Sequence, residues 1–433
     1  MVSKRNKKGW SANGQEMPDI DPHTQAKHRI IERYIKNMII TLYGKTFYGE
    51  TTFTFIDGFC GGGIYENKEK NEKWYGSPIR IIQAVREGFY ESKRKYDLNV
   101  KYIFIDHKSS HLSCLKNYVM PKVGFSELAN LGKQINKSDL GSQLYEECEF
   151  IEGSFEEKVN YCTFLVENRK GHSFFFLDPY GWTHVSMETI RKINSIKRSE
   201  ILFNYMIDYI RRFIVDRNDK LKHGFSDILE ADGYYDLANL DKIERKEQQC
   251  YIRNESMRLF RDKGNVRYMI TFSMIPKGNV IVLYYLMHFS QSPKAIEVMK
   301  DSFYQESNVD FQHYLELYGF TFKTAEFYQE HMLKLEYDTT KDNETVCLEK
   351  LDIKVRDTIM KSDDGILYEE LIHQTMEKTP ATVKQYNNYI NRLVQDKEIE
   401  VLRDSYKQKQ KKITLQKGDI IKKTNIKQIC LFQ

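Results

Sequence analysis

The chain has 433 residues, 41% of them apolar and 13% aromatic. This composition supports a sizeable core and excludes a globally disordered protein, and the length predicts two domains. The net charge of +5 is small for the length and does not by itself indicate a nucleic-acid partner.

Segments that would target or anchor the protein are not predicted. The basic N-terminus lacks a following apolar stretch, and no uncharged apolar run approaches the ~18 residues that span a bilayer. The seven cysteines are scattered, without Cys-x-x-Cys or zinc-type spacing. The sequence therefore predicts a cytoplasmic protein with no metal site and no membrane partner.

Strands and helices alternate along most of the chain. Residues 1–23 are predicted as a basic, flexible N-terminus, and an apolar stripe at helical spacing then runs from Ile30 to Ile39. The predicted strands, which have helices between them, are Thr51–Ile56, Val100–Ile105, Glu149–Ile151, 172–177 and 200–205. This alternation predicts a parallel sheet with helices on both faces, within a domain of residues 24–337.

The pattern changes after the fifth strand. Residues 208–260 are predicted as a helical insertion. The segments 266–274 and 280–289 then flank Pro276-Lys277-Gly278-Asn279, which predicts an antiparallel β-hairpin at the end of the sheet.

A second domain, 348–433, is predicted after a linker over 338–347. Three helices, the third capped by Thr379-Pro380, precede two short strands, Glu398–Leu402 and Lys412–Leu415. Three helices and a two-stranded wing predict an α+β winged-helix domain with a basic wing and tail. Its predicted nucleic-acid contacts are Lys384, Asn388 and Arg392 on the third helix, whose exposed face would also carry Asn391, and Lys407, Lys409, Lys411 and Lys412 in the wing.

The basic ends support this interpretation. Four cations stand within the first ten residues, and from Val401 onward nine Lys/Arg face two Asp/Glu, a local net charge of +7. Such clustering favours contact with a polyanion. Two solvated tails remain the alternative.

A glycine-rich loop, Asp57-Gly58-Phe59-Cys60-Gly61-Gly62-Gly63, follows the first strand. Glycines permit positive φ and close backbone approach to a ligand, and an acidic residue at the tip of the next strand can bind ribose hydroxyls. The third strand is followed by residues that could bracket an adenine. The predicted cofactor residues are Asp57, Gly58, Phe59, Gly61, Gly63, Asp106, Ser154 and Phe155.

A second loop, Asp178-Pro179-Tyr180, follows the strand 172–177. Methyl transfer to an exocyclic amine needs an acceptor for the amine hydrogens, a backbone carbonyl and an aromatic face that stacks the base. Asp178, the Pro179 carbonyl and Tyr180 could supply these as catalytic residues. The two loops together predict an S-adenosylmethionine-dependent methyltransferase with a Rossmann-like class I methyltransferase sheet.

The chain resembles the three-Cys-motif partner protein family over roughly residues 24–305. The resemblance is carried by Lys27-His28, the glycine loop, Gly76-Ser77-Pro78, Phe104-Ile105-Asp106, Leu177-Asp178-Pro179-Tyr180-Gly181 and Ile201–Met206. It implies a class I methyltransferase fold, a companion protein with a three-cysteine, radical-SAM-like motif, and a phage-defence or mobile-element context. In amino-methyltransferases the aromatic residue follows two prolines, whereas here Tyr180 takes the third position and Gly181 the fourth.

Three functions remain open. The first is methylation of a nucleic-acid base, with the winged helix and basic ends binding phosphates. The second is a non-catalytic or partner-dependent interaction module, since winged helices also pair proteins and the third helix is rich in Asn and Gln. The third is methylation of a small molecule or a protein. Salt-sensitive nucleic-acid binding would favour the first.

Overall fold

The computed structural model describes residues 9–45, 49–68, 70–179, 181, 184–206, 224, 226–235, 245–276, 284–304, 311–316, 347–379, 381–404, 406–408 and 412–424. The chain divides into two compact units, Met1–Tyr314 and Leu315–Gln433. Most of the predicted insertion before residue 245, residues 277–279 of the predicted hairpin turn and the predicted linker before residue 347 lie outside the described residues. None of the described helices is long and apolar enough to cross a membrane.

A nine-stranded sheet organises the first unit. In chain order the strands are β1 (Thr52–Asp57), β2 (Ile64–Asn67), β3 (Glu72–Tyr75), β4 (Leu98–Asp106), β5 (Lys133–Lys137), β6 (Gln143–Glu152), β7 (His172–Leu177), β8 (Ser199–Tyr205), β9 (Tyr268–Pro276), β10 (Tyr284–Ser290) and β11 (Phe311–Glu316). β2 and β3 form a separate hairpin, and the sheet order is β11-β9-β10-β8-β7-β1-β4-β6-β5.

The direction of the strands defines the fold. β6, β4, β1, β7 and β8 are parallel, and β10 is antiparallel to both β8 and β9. The chain builds outward from β1 to β4 and β6, then returns to β7 on the other side of β1. The predicted Rossmann-like methyltransferase sheet with its terminal antiparallel hairpin is thus confirmed.

Helices cover the sheet. They are α1 (Pro22–Ile39), α2 (Ser77–Ser92), α3 (Ser109–Ser113), α4 (Met120–Lys122), α5 (Ser126–Leu131), α6 (Phe155–Arg169), α7 (Met187–Ser195), α8 (Arg245–Lys263) and α9 (Pro293–Tyr304), with a π-helical turn, Cys114–Val119, joining α3 to α4. α1 begins with Pro in its first turn, and its apolar stripe packs against α2 and α9.

Four local features differ from the sequence prediction or add to it. The third parallel strand is ten residues long rather than three, because β6 pairs with β4 along its whole length. β5 extends the sheet by pairing antiparallel to β6. The polar insertion after the glycine loop forms the β2–β3 hairpin. Residues 9–20, from the segment predicted to be flexible, carry the buried side chains of Trp10, Met17 and Ile20.

The second unit has the predicted winged-helix elements. A helical segment over 347–361 includes the π-helical turn Asp352–Arg356 and α10 (Asp357–Lys361), and α11 (Tyr368–Thr375) and α12 (Val383–Gln395) follow. Four short strands, β12 (Ile366–Leu367), β13 (Ile399–Arg403), β14 (Tyr406–Lys407) and β15 (Ile420–Lys423), form a sheet of order β12-β15-β13-β14.

Details of the winged helix correct the prediction. The strand that follows the wing and pairs antiparallel with β13 is β15. Residues 412–415, which were predicted to be that strand, are not a strand. The cap of α12 is Thr382, whose hydroxyl accepts from the Gln385 N–H, while Thr379 is buried against Tyr386. Asn391 was predicted on the exposed face but is buried. Its amide exchanges two hydrogen bonds with the Ile413 backbone, at 2.6 and 2.8 Å, so it fixes the 412–415 segment to the helix.

Candidate cofactor and acceptor site

Three carboxylates follow the ends of parallel strands. Asp57 ends β1, Asp106 ends β4, and Asp178 comes directly after β7. β4 and β7 flank β1, so the three residues share one edge of the sheet. The order of the chain reverses between β1 and β7, and α/β sheets bind their ligands at such a reversal.

Asp57 is fully buried at this edge. Its carboxylate accepts a hydrogen bond of 2.6 Å from the Ser77 hydroxyl at the start of α2, and one of 3.2 Å from the Phe59 N–H. Burial raises the pKa of Asp57 to about 7, with smaller contributions from Asp178 and Asp106, even though the two hydrogen bonds act in the opposite direction. Burial therefore disfavours the ionised form of Asp57.

The glycine loop is bonded to the strands on both sides. The Gly58 N–H donates to the Phe176 carbonyl and the Cys60 N–H to the Ile105 carbonyl, both at 3.0 Å. Gly61 and Gly63 have φ values of +60° and +72°, which side chains other than glycine adopt at a cost. The sequence of the loop thus matches the backbone it forms.

Asp106 connects the glycine loop to the helix that follows β4. Its carboxylate accepts from the Gly61 N–H at 3.1 Å, the Lys108 N–H at 2.9 Å and His111 Nδ1 at 2.9 Å. Burial opposes ionisation, but these bonds and the nearby histidines outweigh it and lower the pKa of Asp106. Asp106 is therefore a fixed anion beside the loop.

The other predicted cofactor residues surround the same loop. The Phe155 ring is buried beneath Gly58, where a Cβ would come within 2.8 Å of it. The Phe59 ring lies 6.1 Å from that of Phe155 and 6.5 Å from that of His184. The Ser154 hydroxyl caps α6 by accepting from the Glu157 N–H. Of the two predicted aromatic residues, Phe59 is therefore partly exposed to solvent, whereas Phe155 is buried.

Asp178 is held by two side chains that the sequence prediction did not assign to the site. Lys27 of α1 forms an ion pair with one carboxylate oxygen, and Asn204 Nδ2 donates to the other at 2.5 Å. Lys27 is almost fully buried. Asn204 Oδ1 is also buried and has no hydrogen-bond partner among the described residues. Pro179 is buried, whereas Tyr180 lies outside the described residues.

One of these residues left a signal in the sequence. Lys27 stands three, four and seven residues before Ile30, Ile31 and Tyr34, and therefore on the apolar face of α1. A charge on such a face is costly unless it is paired. A cation at this position thus predicts a buried anion opposite it, although the pattern does not identify Asp178 as that anion.

The predicted nucleic-acid residues of the winged helix lie at its surface where they are described. Lys384, Asn388 and Arg392 are exposed and spaced by four residues, so they share one face of α12. In the wing, Lys412 is exposed, and the exposed Lys407 is 2.9 Å from Glu400. Lys409 and Lys411 lie outside the described residues. Tyr406, which the prediction did not include, is 76% exposed.

One comparison with known families agrees with the architecture of the second unit. Residues 319–405 match the family described as the GMT-like wHTH domain. A comparison with curated proteins gave no match. Similar solved structures include protein LPL1258 from Legionella pneumophila, at 11% identity over 67% of this chain and 96% of that one, with a TM-score of 0.34.

Two further similar structures were solved with bound S-adenosyl-L-methionine or SAH. Trm1 from Pyrococcus horikoshii in complex with S-adenosyl-L-methionine is 10% identical over 81% of this chain and 91% of its own, with a TM-score of 0.34. The plantazolicin methyltransferase BpumL in complex with SAH is 10% identical over 67% of this chain and 83% of its own, with a TM-score of 0.25.

Proposed function

We propose that this protein is an S-adenosylmethionine-dependent methyltransferase. One observation carries the proposal: Asp57, the glycine loop and Asp106 meet Asp178 at the edge where the order of the parallel strands reverses. Cofactors of α/β proteins bind at this edge, and the acceptor would lie beside them, near Asp178.

The residues at this edge have the chemistry that the cofactor requires. Asp57 offers a carboxylate to the cationic amino-acid portion of S-adenosylmethionine, and Asp106 offers one to the ribose hydroxyls. The glycine loop lets the backbone approach both. When bound, the cofactor supplies a methyl group activated by its sulfonium. These roles support Asp57, Gly58, Phe59, Gly61, Gly63 and Asp106 as the cofactor residues, with Ser154 and Phe155 beside them.

The acceptor side has a group suited to an amine. Asn204 Oδ1 is a buried acceptor without a described partner, and its amide is oriented by donating to Asp178. An exocyclic amine placed there could donate its hydrogens to Asn204 and Asp178, while the Pro179 carbonyl and the Tyr180 ring complete the site. Asp178 would hold Asn204 in place and stabilise the charge that develops on the amine.

We further propose that the acceptor belongs to a nucleic acid. The winged-helix unit presents Lys384, Asn388 and Arg392 on one helix face, and the wing adds Lys407 and Lys412. Cations at such positions contact phosphates, and the exposed Tyr406 could stack against a base. Lys409 and Lys411 would extend the same surface.

The alternative is a partner-dependent module that does not transfer methyl groups by itself. One observation favours it: a buried lysine already neutralises Asp178, which weakens the attraction of this carboxylate for a polarised amine. A companion protein could then complete the site. The three-Cys-motif partner and the phage-defence context remain predictions from the resemblance.

Calorimetric titration with S-adenosylmethionine and S-adenosylhomocysteine tests the cofactor site. We expect micromolar binding that is lost in Asp57→Ala and kept in Asp139→Ala, which removes an exposed carboxylate from the turn between β5 and β6. No binding by the wild-type protein would reject the proposal.

Transfer of a labelled methyl group to DNA and to RNA tests the acceptor site. We expect Asp178→Ala to retain cofactor binding and lose transfer. Cofactor binding without transfer to either nucleic acid, in the absence of a companion, would favour the alternative.

A further inference from the structure

The segment before α1 contacts the proposed cofactor loop. Residues 9–20 form a strap that is bonded to β2: the Ile20 N–H donates to the Glu66 carbonyl at 2.8 Å, and the Glu66 N–H donates to the Pro18 carbonyl at 3.0 Å. The side chains of Met17 and Ile20, both in the strap, are buried. At its other end the strap places Trp10 on the glycine loop.

Trp10 packs directly against two glycines of that loop. A Cβ at Gly62 would lie 2.2 Å from Trp10 Cγ, and one at Gly61 would lie 2.8 Å from Trp10 Cη2. The indole N–H donates to the Ile64 carbonyl, immediately after the loop. No residue larger than glycine fits beneath the indole, so the ring and the loop have complementary shapes.

The same indole also contacts the side chain that positions Asp106. The Trp10 and His111 rings meet edge to face with centroids 4.8 Å apart, and His111 donates to the Asp106 carboxylate. Trp10 therefore lies against the glycine loop and beside the group proposed to bind ribose. It is only 7% exposed.

We infer that Trp10 is a cofactor-site residue, and that the strap 9–20 forms the wall of the adenosine end of the site. This inference rests on the proposed function, because it concerns the same cofactor. Trp10 fixes the glycine loop from outside and holds His111, and hence Asp106, in the orientation that receives the ribose. An aromatic side chain is required at this position, since the contact with glycine backbone needs a flat face.

Titration of the full-length protein with S-adenosylhomocysteine tests the inference. We expect Trp10→Phe to bind within a few-fold of the wild type and Trp10→Ala to bind about tenfold more weakly, the order expected when one aromatic side chain is removed. Phe303→Ala is the matched control. It removes a buried ring of α9 that stacks on Phe272 of β9, four strands away from β1, and should leave the affinity unchanged.

Tryptophan fluorescence separates a binding role from a purely structural one. The chain has three tryptophans, Trp10, Trp74 and Trp182. We expect the change of emission on adding S-adenosylhomocysteine to be lost in Trp10→Phe and kept in Trp74→Phe. A change that persists in Trp10→Phe, together with wild-type affinity in a folded Trp10→Ala variant, would overturn the inference.

The two proposals fail differently. If the wild-type protein binds neither S-adenosylmethionine nor S-adenosylhomocysteine, the proposed function is rejected and the inference falls with it. If the wild type binds and the Trp10 variants bind equally well, only the inference is rejected. Should Trp10→Ala not fold, the Trp10→Phe and Trp10→Leu pair decides, because the leucine retains apolar volume without the flat face. Equal affinities in that pair would also reject the inference.

Discussion

Replacing Asp57 with Asn should make the protein more stable at alkaline pH while weakening cofactor binding. Burial raises the pKa of this carboxyl from 3.8 to about 7 in the folded state. The raised pKa means that the folded protein holds the proton more tightly than the unfolded chain does. The wild type therefore loses free energy of unfolding as the pH rises from about 4 to 7. In Asp57→Asn the amide oxygen can still accept from the Phe59 N–H while the amide nitrogen donates to the Ser77 hydroxyl, without this cost.

The magnitude follows from the difference of about 3 pKa units. At about 1.4 kcal/mol for each unit, ionised Asp57 costs the folded state about 4 kcal/mol above pH 7. Part of this cost is already present at pH 5, because an unfolded Asp is ionised there. We therefore expect the stability gap between Asp57→Asn and the wild type to widen by about 2–3 kcal/mol from pH 5 to pH 8.

Urea denaturation at the two pH values measures this gap, and Asp419→Asn serves as the control. Burial opposes ionisation of Asp419, but hydrogen bonds from Arg403 and from the Gln416 N–H outweigh it and lower its pKa, so its contribution to stability is present from pH 5 to pH 8 and is lost only in stronger acid. The gap between Asp419→Asn and the wild type should stay constant over that range. A constant gap for Asp57→Asn as well would refute the argument that burial disfavours its ionised form.

Three further predictions concern charges elsewhere in the chain. Lys27→Met should lower the free energy of unfolding by about 3–5 kcal/mol, because it leaves the Asp178 carboxylate without its cation. Urea denaturation should show that adding Asp178→Asn to the Lys27→Met variant restores part of this loss. If the effects of the two substitutions on the free energy of unfolding were strictly additive, the pairing would be contradicted. Glu200→Gln should be destabilising at pH 7, where hydrogen bonds from two buried histidines outweigh burial and lower the pKa of the Glu200 carboxylate. A lowered pKa stabilises fully above the ordinary range of the carboxyl, and the stabilisation is lost as the pH falls toward the folded-state pKa. Urea denaturation should therefore show a smaller difference from the wild type at pH 3 than at pH 7, and an equal difference at the two pH values would contradict the prediction. The double substitution Lys384→Ala and Arg392→Ala should reduce the salt dependence of nucleic-acid binding. The slope of log affinity against log salt concentration should fall by about one unit for each phosphate that the protein no longer neutralises. Titrations at several salt concentrations measure this slope, and an unchanged slope would show that these residues face away from the nucleic acid.

The sequence predicted those parts of the fold that local pattern determines. The strand 172–177 was predicted with its observed bounds, because a central parallel strand is buried on both faces and its residues form a continuous apolar run. β6 was predicted too short because Glu146 and its neighbours interrupt such a run. Glu146 is buried through long-range partners: Arg86 and Tyr102 each bind its carboxylate at 2.8 Å. Pairings between distant residues cannot be inferred from local pattern.

The candidate site shows the same division. Asp57, Asp106 and Asp178 could be predicted because each follows a strand, and the carboxyl ends of parallel strands share an edge. The cation that pairs with Asp178 could not be predicted, since Lys27 lies 151 residues away in the sequence. Trp10 precedes every predicted element and belongs to no periodic pattern, so no signal in the sequence connected it to the glycine loop.

Both of these unpredicted residues precede β1. Trp10 contacts the glycine loop, Lys27 pairs with Asp178, and the segment between them is fixed to β2 through Ile20 and Pro18. The parallel sheet begins only at β1, and the chain from there onward supplies the three carboxylates together with their partners Ser77, His111 and Asn204. The segment before β1 adds to them a cation that neutralises Asp178 and a ring that covers the glycine loop between Asp57 and Asp106.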